Sequence, residues 1–453
     1  MNFKSVSLNG HSGGLKMGTK PTFKEAFIFW LKLGFISFGG PAGQIAIMHQ
    51  YLVEKKKWIS ESRFLHAMNY CMLLPGPEAQ QLATYSGWLL HGARGGLVAG
   101  IFFILPSVFI LLALSIAYVI FGQVPWFHAL FEGLKPAVVA IIIYALVKIG
   151  KKSLRSAWNL GVALLSFASI FFLNIPFPLI ILGTLVLGLI LNRLFPSIFK
   201  TDISENMSDR KEETGYYINS LHTDETPHFK PVRFVRQTVL ALICWVAPFG
   251  LFRIFSSDTA FWNSLSFFFT KAALVTFGGA YAVLPYVAQV SVEKFHWLSA
   301  SQMMDGLALG ETTPGPLIMV LAFVGFMGGY GHYAGSIITG TIGLLITVYF
   351  TFLPCFYFVI AGAPLAEQTR KEEKFRFILP FLGAAVTGVM GNLAVYLGKA
   401  VFLPAGDEGE AVGIFNIIWT LISLFLLFRY KVNIMLLIGV SALAGLIRFF
   451  LFQ

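Results

Sequence analysis

Two kinds of helix breaker recur along this chain in one register. Pro75-Gly76-Pro77 returns as Pro314-Gly315-Pro316 and Phe38-Gly39-Gly40 returns as Phe277-Gly278-Gly279, each displaced by 239 residues (314 − 75 and 278 − 39). Proline lacks an amide hydrogen and glycine tolerates sharp reversals, so these breaks dictate where helices must stop in two copies of one unit. The sequence around them is 56% hydrophobic and 12% charged, with a mean hydropathy of +0.73. Those values lie far from soluble averages. Apolar runs near or above the span length of about 20 residues cover 96–121, 127–149, 333–361, 412–428 and 433–450. Short alternating strands, the mark of a barrel, are missing. The expected fold class is an all-α integral membrane protein, an inverted-topology repeat with broken or re-entrant helices and roughly 13 membrane segments.

The register extends beyond the breaks. At the same displacement Glu54 falls on Glu293, Trp58 on Trp297, Ser60 on Ser299 and Ser62 on Ser301. After the Pro-Gly-Pro turns it grows to 248 (354 − 106), aligning Leu105-Pro106 with Leu353-Pro354 and Ala137-Val138 with Ala385-Val386. A last pair of spans aligns Asn159 with Asn416 and Gly188 with Gly445 at 257 (416 − 159). The chain therefore divides into a cytoplasmic tail over 1–22, a first repeat over 23–191 and a polar, flexible cytoplasmic linker over 192–237. A single inverting helix over 238–255 and a second repeat over 262–450 complete it.

An odd number of crossings between equivalent units turns the second one over, and the loop charges agree. Lys148, Lys151, Lys152 and Arg155 face a counterpart loop with only Lys399 beside Asp407, Glu408 and Glu410. Lys55, Lys56, Lys57 and Arg63 face Lys294 alone, whereas 122–130 has no basic residue and its counterpart has Arg370, Lys371, Lys374 and Arg376. By the positive-inside rule equivalent loops lie on opposite sides. The net charge of +11 is thus a topology signal, and nucleic acid is not an expected partner. Cys71, Cys244 and Cys355 have no metal or redox spacing and read as small core residues. No metal or cofactor is expected.

Inverted repeats built around broken helices are an architecture of secondary transporters, whose substrate site lies at midplane between the units. Segments 23–38, 41–53, 64–74 and 77–91, then 262–277, 280–292, 302–313 and 316–330, are too short to span simply and read as half-helices. Amide-bearing ends at such breaks suit an oxyanion; the alternative is kinks that allow close packing. The candidate donors are Ser37, Gly39, Gly40, Gly76, Gln80 and Gln81, with Thr276, Gly278, Gly279 and Gly315. Lys32 and Lys271 occupy equivalent positions before the breaks, either as cations for an anion or as side chains snorkelling to the interface. Glu78 and Glu311 flank the Pro-Gly-Pro turns without being equivalents, and carry a coupling proton or serve as caps or ion-pair partners. Arg94, Asp305 and His332 are further polar residues at depth, His49, His66, His91 and His296 receive no role, and Trp58 and Trp297 read as interface-belt residues.

The runs Leu33-Gly34-Phe35-Ile36-Ser37-Phe38-Gly39-Gly40-Pro41, Leu74-Pro75-Gly76-Pro77-Glu78-Ala79-Gln80-Gln81 and Gly310-Glu311-Thr312-Thr313-Pro314-Gly315-Pro316-Leu317 resemble the signature stretches of the chromate ion transporter family, in its long two-domain form. The resemblance implies an inner-membrane protein that exports chromate from the cytoplasm and confers resistance, with sulfate as a competing analogue. Protons as coupling ion and a homodimer are compatible with it. One departure stands out: Ala280 replaces the proline that follows Gly40 in the first copy. Sulfate or another oxyanion as substrate, a passive channel and an intramembrane enzyme on a lipid phosphate are the alternatives.

Overall fold

Side-chain caps and glycine turns set the bounds of the helices in this computed structural model. It describes residues 20–38, 40–122, 124–194, 215–219, 229–277, 279–368, 378–403 and 409–452. The first repeat contains α1 (Phe23–Ile36), α2 (Gly40–His49), α3 (Glu61–Leu73), α4 (Glu78–Phe121), α5 (Pro125–Ser153), α6 (Ala157–Phe171) and α7 (Phe177–Leu194). After α8 (Pro231–Phe255), the second contains α9 (Thr259–Leu274), α10 (Ala280–Gln289), α11 (Ala300–Thr312), α12 (Val320–His332), α13 (Ile337–Gln368), α14 (Ile378–Phe402), α15 (Gly409–Phe425) and α16 (Ile434–Phe452). Seven helices among the described residues are long and apolar enough to cross a membrane, and α6 and α7 are shorter apolar ones. Paired half-helices make up the rest of the expected segments.

The duplication is visible in fine detail. Ser60 caps α3 by accepting the Arg63 amide (3.4 Å), and its equivalent Ser299 caps α11 by accepting the Gln302 amide (3.1 Å). Each such cap stabilises its helix by about 1 kcal/mol. Both α2 and α10 end in a π turn, Gln50–Lys55 and Val290–Lys294. Lys57 and His296, again equivalents, both take the left-handed conformation at φ 52°, where non-glycine residues are uncommon. In α4 the helix axis breaks at His91 and at Gly92 (φ 64°), so residues 78–91 form a half-helix like the turn Leu317–Met319 and α12 of the second copy.

The repeats interlock through their ends. The α6–α7 pair of the first repeat packs on α14, and α15–α16 of the second packs on α5, while α4 and α13 meet at the centre. Small residues permit the close approach: a side chain added at Gly133 on α5 would run into Gly445 on α16, and one at Gly388 on α14 into Ala163 on α6. The helix α8 has no buried residue and leans on α9 and α13. Polar contacts help to hold it: Trp245 Nε1 to Thr270 Oγ1 (3.0 Å), Tyr349 OH to the Cys244 carbonyl (2.7 Å), and the Thr238 and Tyr357 hydroxyls (2.9 Å).

Two expectations change. The linker is not free throughout: Tyr217 and Ile218 donate amides to the Lys57 and Trp58 carbonyls (3.1 and 3.0 Å), and Ser60 donates to Ile218 (2.8 Å). That parallel bridge buries Ile218 against the 57–60 turn, while 195–214 and 220–228 lie outside the described residues. Trp58 is packed rather than belted, buried with its ring edge-on to Phe29, and half-buried Trp297 stacks on Phe295 at 4.4 Å. The turns that hold them fold inward, so aromatic packing wins over the interface.

Candidate functional site

The four breaks meet, and they meet reciprocally. The Gly76 amide donates to the Thr276 carbonyl (2.7 Å), and the Gly315 amide donates to the Ser37 carbonyl (2.8 Å). Residues 76 and 315 are equivalents, as are 37 and 276, so each Pro-Gly-Pro turn braces the Phe-Gly-Gly break of the other repeat. A self-complementary contact of this kind is what a two-fold relation between units produces. Gly76 takes φ 131° and Gly315 φ 99°, backbone shapes natural to glycine alone. A Cβ on Gly76 would lie 2.5 Å from Cys355 Sγ, and one on Gly315 2.8 Å from Ser107 Oγ. Cys355 and Ser107 are themselves equivalents, each following the proline of a long helix. Ser107 Oγ also donates to the Pro314 carbonyl.

Most of the candidate donors are committed within this centre. Besides the Gly76 and Gly315 amides, Ser37 Oγ donates to the Leu33 carbonyl and Thr276 Oγ1 to the Ala272 carbonyl, both at 2.6 Å. Gln80 Nε2 donates to Thr84 Oγ1 (3.0 Å) and Gln81 Nε2 to the Pro75 carbonyl (2.7 Å). Gln44, which the motif reading passed over, donates to the Gly315 carbonyl at 2.5 Å. The buried Oε1 atoms of Gln44, Gln80 and Gln81 have no protein donor. Gly39 and Gly278 lie outside the described residues.

Among the described residues, carboxylates converge on one of the two symmetry-related breaks. Gly279 (φ 97°) caps α10, and Glu78 Oε1 lies 3.9 Å from the position of a Cβ on it. Tyr281, in the first turn of α10, donates its hydroxyl to Glu311 Oε1 (2.8 Å). The equivalents of Glu78, Tyr281 and Glu311 in the first break are Leu317, Ala42 and Met72. A Cβ on Gly40 (φ 70°), at the start of α2, would meet open space. One helix start therefore carries acid groups, and its twin is uncrowded and has apolar residues at the equivalent positions.

The two lysines stand elsewhere. Lys32 is exposed on α1 in line with exposed Ile28 and Phe35, and Lys271 is exposed on α9 in line with Phe267 and Leu274. Spacings of four and three residues put each lysine on an apolar outer stripe, which is the snorkelling arrangement and not a place beside the breaks. Arg94 is exposed, Asp305 Oδ2 accepts the Tyr118 hydroxyl (2.7 Å), and His332 pairs with Asp258 (2.6 Å). The His332 ring holds the Asp258 carboxyl, which caps α9 outside the membrane segments, below its ordinary value. No group of metal-ligating side chains occurs among the described residues.

Comparison with known proteins follows the same duplication. The family described as "Chromate transporter" matches residues 24–189 and 263–446, one match per repeat. A probable chromate transport protein of Synechococcus elongatus is 27% identical over 379 residues, 83% of this chain and 85% of that one. A chromate transport protein of Cupriavidus metallidurans is 26% identical over 438 residues, 95% of each chain. An uncharacterized transporter of Bacillus subtilis is 26% identical over 141 residues, 31% of this chain and 72% of that one. No solved structure matches. With both repeats matched and their breaks joined at the centre, the chain belongs to the chromate transporter family.

Proposed function

We propose that the protein is a secondary active transporter that exports chromate across the inner membrane, with Glu78 and Glu311 carrying the coupling proton. The observation that supports this most is the reciprocal bracing of Gly76 to Thr276 and Gly315 to Ser37. Irregular backbone at membrane depth is tolerated where it is buried in protein or lines a cavity, and joining the breaks across the repeats makes their relative motion act on one point. In this reading the structure is a closed centre. Opening it frees the Gly76 and Gly315 amides and the glutamine side chains for a tetrahedral dianion, beside the Gly40 start of α2. The uncrowded, carboxylate-free start of α2 at Gly40 suits the anion, and the acid groups at Gly279 suit the proton.

Energetics favour export. A dianion leaving a cytoplasm held negative inside gains roughly 4.6 kcal/mol per 100 mV, so uptake needs accompanying cations and export does not. Sulfate, with the same charge and shape, competes in this mechanism. Proteoliposomes under imposed pH and potential gradients provide the test. Saturable chromate flux that responds to both gradients and is inhibited by sulfate is expected; flux indifferent to the pH gradient removes the proton role, and absence of flux removes the transport reading.

A further inference from the structure

A second polar cluster lies away from the breaks, where the first turn of α3 faces the last turn of α13. Arg63 Nη1 pairs with Glu367 Oε2 at 2.5 Å, with side chains only 2% and 5% exposed. The other carboxylate oxygen accepts the Tyr85 hydroxyl at 2.6 Å. Both Arg63 Nε and Arg63 Nη2 are buried without an acceptor. These two nitrogens form one edge of the guanidinium, the fork that grips a carboxylate or a tetrahedral oxyanion with two parallel hydrogen bonds. Nearby, the Tyr85 ring stands 5.8 Å from that of Trp88, whose buried Nε1 also has no acceptor.

A buried ion pair is poor evidence for stability, because desolvation offsets much of its attraction. A buried guanidinium edge without a protein acceptor adds a further penalty. The contacts across this seam are polar: beside the ion pair, His66 Nε2 meets the Ala366 carbonyl (3.2 Å) and Tyr70 donates to the Phe358 carbonyl (3.2 Å). The seam lies at the end of α3 that follows Lys55, Lys56 and Lys57, and α13 leads into Arg370, Lys371, Lys374 and Arg376. Those basic runs mark the cytoplasmic side and raise the local concentration of anions. Ten residues of α3 separate Arg63 from its end at Leu73, about 15 Å of helix, half the thickness of the hydrocarbon core.

We infer that Arg63 is a cytoplasmic-side oxyanion site, at which a tetrahedral dianion takes the Nε/Nη2 edge while Glu367 acts as the built-in competing anion. This rests on the oxyanion transport proposed above and adds a first binding step before the central breaks. Arrival of the dianion beside Glu367 places like charges together. The carboxylate then leaves Nη1 and the Tyr85 hydroxyl, and the end of α13 parts from α3. Binding at the mouth is in this way tied to opening the seam.

The test measures half-saturating chromate, with sulfate as competitor, for the full-length protein in proteoliposomes as wild type, Glu367→Gln and Arg63→Lys. Glu367→Gln keeps the shape and one acceptor for Arg63 Nη1, with its amide donating to the Tyr85 oxygen instead of accepting from it, but removes the competing charge, and is expected to lower half-saturation at least threefold. Arg63→Lys keeps the charge but loses the fork, and is expected to raise it about tenfold. A purely structural pair lowers thermal stability and maximal rate in both variants without moving half-saturation in opposite directions. Should Arg63→Lys fail to fold, Glu367→Gln decides alone. Wild-type saturation with half-saturation in Glu367→Gln unchanged within twofold overturns the Arg63 site, and absence of any wild-type flux instead overturns the transport reading beneath it.

Discussion

Replacing Gly76 by alanine tests how much of the stability of the closed form the braced centre carries. At φ 131° the residue lies beyond the left-handed pocket near +57° that other residues visit, and holding alanine there costs on the order of 1–3 kcal/mol. The new methyl group would stand 2.5 Å from Cys355 Sγ and 2.6 Å from Gln81 Nε2, and such overpacking adds about 1–3 kcal/mol. The sum, about 2–6 kcal/mol, is a large part of the 5–15 kcal/mol that typically holds a fold. Gly40→Ala is the internal control, because its φ is 70° and its added methyl meets nothing; its cost is about 1–2 kcal/mol. Thermal unfolding of purified protein should therefore rank wild type, Gly40→Ala and Gly76→Ala in falling order. Adding Cys355→Ala to Gly76→Ala should restore part of the packing share, leaving the contact with Gln81 and the backbone share. A melting point for Gly76→Ala equal to or above that of Gly40→Ala would refute the reasoning.

Other outcomes follow from the same geometry. Glu78→Gln and Glu311→Gln should each abolish the dependence of chromate flux on an imposed pH gradient while leaving membrane insertion intact, read by flux in proteoliposomes and by yield in the membrane fraction. Lys32→Ala and Lys271→Ala should keep at least half of wild-type flux, since both side chains lie on outer stripes; a tenfold loss in either would return it to the site. Ser107→Ala removes the donor to the Pro314 carbonyl and should destabilise the protein by about 1–3 kcal/mol, measurable as a lowered unfolding temperature. Because His332 depresses the Asp258 carboxyl, the stability it adds is present above the unfolded value of 3.8 and is lost as pH falls through the lower folded value. His332→Ala should thus lower the unfolding temperature slightly at neutral pH, the stability lost being no more than about 1 kcal/mol for so exposed a pair, with the gap closing as pH falls below 3.8.

Much of the architecture is legible from breakers and loop charges, because proline and glycine act locally and leave their mark at fixed positions. The half-helix bounds at Ile36, Leu73, Leu274 and Thr312 fall within a few residues of those read from the Phe-Gly-Gly and Pro-Gly-Pro motifs. The partners at the centre are harder to read. Register relates 76 to 315, whereas the hydrogen bond joins 76 to 276, and only the two-fold arrangement converts equivalence into contact. Ser107 and Cys355 lie one residue beyond the aligned prolines, so the signal was present at a position with no motif. Arg63 read as a topology charge in a basic loop, and its partner Glu367 is 304 residues away. Lys32 and Lys271 left two readings open in the sequence, and their exposure on outer stripes fits snorkelling, since a lysine near a segment end has enough aliphatic stem to reach water from an outer face.

The exchange of terminal helix pairs, α6–α7 onto α14 and α15–α16 onto α5, makes each repeat an incomplete object. Cut within the linker, either half would present bare helix faces that its twin normally covers. The molecule is in effect a dimer of half-transporters whose partner is supplied on the same chain. Its linker then acts as a tether that sets a local concentration on the order of millimolar, and assembly no longer depends on how many copies the membrane holds. Separately expressed halves should consequently regain function only together, and with a dependence on their abundance that the joined chain does not have.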